Sequence, residues 1–301
     1  MGNCQVKIPA TSANIGSGFD TIGVAFKLYN SVYVEETDGG LEIEVIDASK
    51  KFLPKDERNL VYRGIKTVFD KVGYRCDGLK IVLNNEIPVT RGLGSSSSGI
   101  VGGLLAGNYL SGNTLGTDEI VNLACKLEGH PDNTTPAITG GFAVAVKTDP
   151  VSYIKLPVKN NDLRFALFIP NFPLNTVRAR GVLPKAVSHT DAVYNISRAS
   201  LLTASIMSGR YDLLGTALQD RMHQPFRKCL IGGVNRLFKF GKDNGAYGTY
   251  ISGSGPTIVS VIDSSIENKF YSEAQEFLNK HMNNWSIKIV EIDQNGATVN
   301  I

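Results

Sequence analysis

Apolar and polar residues alternate in short runs at 4–8, 31–35, 41–46 and 79–83, the period-two pattern of strands that bury one face. Leu60, Ile65, Val68, Phe69 and Val72 recur instead at helical spacing, and the run stops at Gly73, which predicts a helix over 59–72. From 97 to 111 the chain is small and apolar on every side, so a buried helix is expected there. A second helix over 117–128 and a strand at 142–147 follow. The stretch 148–162 is polar and carries Pro150 and Pro157, and it reads as a joint between two domains. Beyond it the pattern predicts a strand at 164–169 and helices over 189–208, 210–222 and 231–242. Strands at 247–252 and 257–262, a helix at 266–281 and a last strand at 287–292 complete the chain. Strands and helices mix without strict alternation, which favours α+β layers over a doubly wound parallel sheet.

With 301 residues and 42% hydrophobic content, the chain is long enough for one large or two ordinary domains with real cores. A net charge of +3, with the basic residues scattered, argues against a nucleic-acid partner. Cys4, Cys76, Cys125 and Cys229 form no C-x-x-C pair, so they read as reduced thiols of a cytoplasmic protein, not as a zinc site or disulfide framework. No run approaches the roughly 18 apolar residues of a membrane span, and no signal region opens the sequence.

The chemistry concentrates in residues 88–99, Pro-Val-Thr-Arg-Gly-Leu-Gly-Ser-Ser-Ser-Ser-Gly. Gly92 and Gly94 free the backbone, and the serines sit where they would cap the helix that follows. A glycine-rich turn feeding a helix N-terminus aims backbone N–H groups at one point, a site suited to phosphate. The same residues also suit a plain helix cap with a flexible approach. There is no G-x-x-x-x-G-K-[ST], no complete G-x-G-x-x-G and no G-x-S-x-G, so the usual nucleotide and hydrolase patterns do not apply. His130, His189, His223 and His281 are too dispersed for a metal helix, and each reads as a packing or surface residue.

Three further segments crowd glycine and polar residues beside apolar ones. They are 9–20 (Pro-Ala-Thr-Ser-Ala-Asn-Ile-Gly-Ser-Gly-Phe-Asp), 128–133 (Glu-Gly-His-Pro-Asp-Asn) and 252–256 (Ser-Gly-Ser-Gly-Pro). Singly, each is a tight turn. Together with 88–99 they resemble the four motifs of the GHMP family of small-molecule kinases, over essentially the whole chain. The resemblance implies an α+β, two-domain GHMP kinase fold. Residues 1–157 would form a ribosomal-protein-like N-terminal, ATP-binding domain, and 158–301 a ferredoxin-like C-terminal domain, with the site in the cleft between them.

The same resemblance implies phosphoryl transfer from ATP to the hydroxyl of L-homoserine, a step toward threonine, because segment 9–20 is similar to the signature of the branch that phosphorylates this amino acid. Mevalonate or a diphosphocytidyl sugar alcohol is the alternative acceptor, and a non-catalytic ligand-binding protein on the same scaffold is a further alternative. Pro88, Arg91, Gly92, Leu93, Gly94, Ser95, Ser96, Ser97 and Ser98 would bind the ATP phosphates, with Asn59 and Val61 at the adenine. Ser96 and Glu128 would hold Mg2+, Ser95 being the alternative hydroxyl. Asn14, Asp20, His130 and Asp132 would surround the acceptor's hydroxyl and ammonium, while Thr176, Arg180 and Arg227 take its carboxylate. Arg178 and Arg221 are alternatives for that last role. Asp20, Asp132 and Arg180 are the catalytic candidates. Where mevalonate kinases place a lysine, Thr11 and Ser12 stand here, which favours alignment over strong base catalysis. Dimers are common in the family, so the resemblance allows a homodimer, but no stripe of residues in the sequence marks an interface.

Overall fold

A computed structural model describes residues 2–158 and 162–300. The runs at 4–8 and 31–35 are fragments of much longer strands, β1 (Asn3–Asn14) and β2 (Gly18–Thr37), paired antiparallel. Burial in β1 alternates as far as Ile8 and is then continuous. Covered on both faces, the second half of the strand has no alternation to reveal it. Segment 9–20 is therefore the far end of this strand pair with its tight connection, not a loop following a short strand.

The rest of the first body is β3 (Gly40–Val45), α1 (Leu60–Val72), β4 (Gly78–Asn85), α2 (Ser95–Leu110), α3 (Thr117–Glu128), α4 (Pro131–Thr139), β5 (Phe142–Val146) and β6 (Ser152–Leu156). Its sheet runs β3-β4-β2-β1, with β5 also on β2 and β6 on β5. Strand β6 lies inside the expected joint 148–162, whose residues 159–161 fall outside the described ones. Helix α4 was not legible: its residues, Pro-Asp-Asn-Thr-Thr-Pro-Ala-Ile-Thr, are poor helix formers held by tertiary burial, with Pro131 at the tolerated first turn. Helix α2 is buried against α1 at close range. A Cβ on Gly103 would stand 2.1 Å from the Val61 carbonyl oxygen, so this crossing requires glycine.

The second body holds β7 (Leu163–Pro170), α5 (Thr176–Gly181), α6 (His189–Ser208), α7 (Leu214–Ala217), α8 (Gln224–Arg227), α9 (Val234–Asp243), β8 (Gly248–Ile251), β9 (Ile258–Asp263), α10 (Glu267–His281) and β10 (Trp285–Val290). Its antiparallel sheet has the order β10-β7-β9-β8, the arrangement of a ferredoxin-like βαββαβ unit. The helix expected over 210–222 is broken into a 3-10 turn at Tyr211–Leu213 and the four residues of α7. A final strand, β11 (Thr298–Asn300), returns to pair with β1.

One core lies between the first sheet and α1–α3, and a second between the second sheet and α9–α10. The third joins the bodies: Phe26, Phe142 and Ile22 of the first sheet pack with Phe165, Val259 and Tyr250 of the second. The rings of Phe26 and Phe165 stand 4.9 Å apart. Each such side chain contributes about 1.5–3 kcal/mol on burial, so the two sheets are held together by a true interior. All four cysteines are free. No helix among the described residues is long and apolar enough to cross a membrane.

Candidate active site

The glycine-rich loop is fastened by both bodies. Thr11 N donates to the Leu93 carbonyl at 3.2 Å, Thr257 N to that of Arg91 at 3.3 Å, and Ser252 Oγ to that of Gly92 at 2.6 Å. Ser12, wholly buried, links Tyr250 Oη (3.0 Å) and Ser252 Oγ (2.7 Å) beneath it. The segments 9–20, 88–99 and 252–256, remote in sequence, thus form one hydrogen-bonded unit. Gly94 is left-handed at φ 73° and lies so near β1 that a Cβ would stand 2.0 Å from Thr11 Oγ1.

Gly94, not a serine, precedes α2, and no side chain caps the helix. The serines form its first turn. Ser98 N reaches the Gly94 carbonyl at 2.8 Å, which leaves the N–H groups of Ser95, Ser96 and Ser97 outside the helical ladder, at the positive end of the helix dipole. Glu128, the last residue of α3, accepts from Ser96 Oγ at 3.2 Å and from Ser97 Oγ at 3.0 Å. A carboxylate and two hydroxyls at the mouth of a phosphate cradle are the hard oxygen donors that suit Mg2+. Ser98 is different: its hydroxyl accepts from Asn30 at 2.9 Å and donates to the Ser95 carbonyl at 2.9 Å, so it builds the loop from below.

One cleft is lined by Gly92, Gly94, Ser95, Ser96, Ser97 and Glu128, and also by Asn14, Asp20, His130, Asp132, Thr176, Arg180 and Arg227. Arg178 and Arg221 do not line it, and Arg221 instead pairs with Asp191 at 3.1 Å. Arg91 does, but its guanidinium is engaged by the carbonyls of Val89, Pro170 and Asn171. Pro88 and Leu93 line neither this cleft nor the pocket beside it, and Leu93 belongs to the shared core. An adjoining, largely apolar pocket is bounded by Phe52, Leu53, Leu60, Asn59 and Val61 and shares Ser95 with the main cleft. Asn59 caps α1 by accepting from Val61 N at 2.9 Å and donates to the Pro54 carbonyl at 2.8 Å, so its side chain shapes the pocket wall.

At the other end, Arg180 on α5 grips Asp20 through two hydrogen bonds of 3.0 and 2.8 Å. That bond, ahead of burial which opposes it, raises the Arg180 pKa. Asp20 sits at φ 52° and Asn14 at φ 69°, conformations that cost energy outside glycine. They are held by Asn14, whose side chain accepts from Asp20 N at 2.9 Å and donates to the Gly253 carbonyl at 2.8 Å. Asp132, 1% exposed at the start of α4, is 2.5 Å from His130 Nδ1. Burial is the largest single influence on His130 and disfavours its charged form, but the hydrogen bond to Asp132 together with the charges of Asp132 and Glu128 outweighs it and the pKa is raised. Asp20, His130 and Asp132 offer ligand atoms within 4.8 Å of one another.

Arg227 is 1% exposed, and burial, followed by the charge of Arg180, lowers its pKa to about 10. Arg227 and the Asp20-paired Arg180 thus face one cleft beside the carboxylates of Asp20 and Asp132, an arrangement that can meet both ends of a zwitterion. Sequence reasoning missed Thr90, Asn133 and Ser254 of the lining, although all three stand inside quoted motifs. His223, read from the sequence as a packing or surface residue, is buried and packs against Arg227.

Comparison with known proteins agrees with this fold. Residues 59–141 match the family model for the GHMP kinases N terminal domain, and 201–280 that for the GHMP kinases C terminal. The chain is 47% identical to a homoserine kinase of Caldicellulosiruptor saccharolyticus over 301 residues, covering 98% of this chain and 96% of that one. It is 43% identical to a homoserine kinase of Clostridium beijerinckii, covering 98% and 97%. Among solved structures, a homoserine kinase from Cytophaga hutchinsonii superposes with TM-score 0.90 at 31% identity, covering 100% of this chain and 98% of that one. A mevalonate kinase shares the fold at TM-score 0.71 and 16% identity, covering 97% and 99%.

Proposed function

This chain belongs to the GHMP kinase family and acts as a homoserine kinase, and from there we propose how its cleft performs the transfer. The observation that carries the reading is that one cleft joins a phosphate cradle to a set of paired charges suited to a zwitterion. The free N–H groups of Ser95, Ser96 and Ser97 would receive the ATP phosphates, and the apolar pocket beside Leu60 and Val61 would take the adenine. Glu128 with Ser96 or Ser97 would hold Mg2+, which when bound neutralises phosphate charge. We divide the chain into an ATP-binding unit, 1–157, and a second unit, 158–301; the presence of two separate sheets supports this reading, although β11 rejoins the first.

The acceptor's carboxylate would meet Arg227 and Arg180 near Thr176, and its ammonium the carboxylates of Asp20 and Asp132. Its hydroxyl oxygen attacks the γ-phosphorus, the bond from that phosphorus to the β–γ bridging oxygen breaks, and the hydroxyl proton leaves to solvent. Asp20 is held by Arg180 and Asp132 by His130, so both act by polarising and orienting the acceptor. Thr11 and Ser12 carry neutral hydroxyls, Thr11 donating to Asn133 at 2.8 Å and Ser12 buried, so neither supplies the cation of a lysine-assisted base. The free thiols suit the reducing cytoplasm, where we place the reaction.

An ADP-release assay across homoserine, mevalonate and serine tests the assignment. Homoserine is expected to exceed mevalonate in kcat/KM by at least about 100-fold, as a site built around paired charges rejects a ligand without an ammonium, and to exceed serine, one methylene shorter, by about 10-fold or more. Equal or greater turnover of mevalonate would overturn it.

A further inference from the structure

His223 lies directly behind Arg227 and is 0% exposed. Its Nε2 is 2.6 Å from the Gly16 carbonyl oxygen, which can only accept, so Nε2 carries the proton. Its Nδ1 is 3.2 Å from Arg227 Nη1, which can only donate, so Nδ1 keeps its lone pair. Only the neutral ring, in one tautomer, makes both bonds. Phe19 stacks on this ring with centroids 5.2 Å apart, and the Arg227 guanidinium carbon lies 5.3 Å from the same Phe19 ring.

Asp220 would be the expected partner for a buried guanidinium, yet its carboxylate is turned away. It accepts from the N–H groups of Met222, His223 and Gln224 and from Asn195, and stands 3.7 Å from His223 Nε2. Arg227 Nη1 also donates to the Gly253 carbonyl at 2.8 Å, and Nε to that of Ala179 at 3.3 Å. Nη2 has no hydrogen-bond partner among the described residues, although Arg227 lines the cleft. Every other edge of the guanidinium is fixed by neutral acceptors, and the carboxylates of Asp20, Asp132 and Asp220 act on it only through space, with no direct bond.

We propose that His223 is a positioning residue for the acceptor: held by the Gly16 carbonyl, its ring turns Arg227 so that Nη2, bonded to no carboxylate of the chain, is presented to the acceptor's carboxylate. A carboxylate partner in its place would neutralise Arg227 and compete with the ligand. A neutral acceptor orients the group and leaves its charge available. The inference rests on the reading of Arg227 as the carboxylate's ligand.

Two variants and a background separate the cases. His223→Phe keeps the ring against Phe19 and removes both hydrogen bonds, whereas His223→Asn restores an acceptor near Nδ1. We expect His223→Phe to raise the homoserine KM by about 10-fold or more with the ATP KM within about 2-fold, and His223→Asn to recover most of the loss. In an Arg227→Ala background, His223→Phe is expected to add no further change in homoserine KM. An unchanged homoserine KM in His223→Phe, equal rises in both KM values, or full additivity in that background would overturn the inference. If Arg227→Ala alone leaves the homoserine KM unchanged, the carboxylate reading has failed, and the inference with it. Independently of any variant, nitrogen NMR of histidine-labelled protein should show His223 as the Nε2–H tautomer from about pH 6 to about pH 8. A cationic or Nδ1–H ring over that range would overturn it.

Discussion

Single residues in the cleft are already paired before any ligand arrives, and the pairing defines their roles. Asp20 and Arg180 present opposite charges side by side at 2.8 Å, so a zwitterion approaching them finds a partner for each end. Both are partly exposed, and as an isolated ion pair they add little to stability. Their value lies in binding. Arg180→Ala is therefore expected to raise the homoserine KM by about 10- to 100-fold, the worth of charge-assisted hydrogen bonds, with the ATP KM nearly unchanged. Steady-state kinetics with each substrate varied in turn checks this. A parallel rise in both KM values would remove Arg180 from the acceptor site.

At the scale of elements, the phosphate loop works because a strand, a helix start and a turn from the second body touch along it. Gly94 and Gly73 separate the two demands this makes. Both are left-handed, at φ 73° and 71°, but a Cβ at Gly94 meets Thr11 Oγ1 whereas a Cβ at Gly73 meets nothing within 4 Å. Gly73→Ala should cost only the backbone penalty, about 1 kcal/mol, and leave the ATP KM as it was. Gly94→Ala should cost more and raise the ATP KM by about 10-fold or more, since the N–H cradle must shift with the loop. Urea midpoints and ATP kinetics of the two variants read the difference. If both variants bind ATP equally well, the close fit to β1 is not what shapes the cradle.

For the whole molecule, two histidines set opposite pH slopes. Burial, with Arg227 beside it, depresses His223 to about 4 despite Asp220 and Asp20 nearby, so the unfolded chain binds more protons than the folded one between the ordinary value of 6.5 and about 4. Stability falls as pH drops through that window. His130 is raised by Asp132, so its contribution is complete below 6.5 and fades as pH rises through its folded value. Thermal midpoints against pH should thus decline on both sides of the mildly acidic region. His223→Phe is expected to flatten the acid side alone, and an unaltered acid slope in that variant would show that another group controls it.

Local chemistry made much of this legible from the chain alone. The helical spacing of 60–72, the absence of a nucleotide lysine and the serine run after Gly94 follow from residue types and short-range geometry, which a sequence carries in full. So did the identity of most side chains that line the cleft, because the motifs holding them are contiguous. What stayed hidden depended on contacts between distant segments. Strand β1 lost its alternation where both faces became buried, and α4 forms from poor helix formers because tertiary packing outweighs propensity. The pairing of Asp20 with Arg180, 160 positions apart, and the seat of His223 between Gly16 and Arg227 exist only once the shared core has brought the two bodies together. Residue types determined which chemistry this chain can do; burial and long-range closure decided which charges meet and which one is left for the substrate.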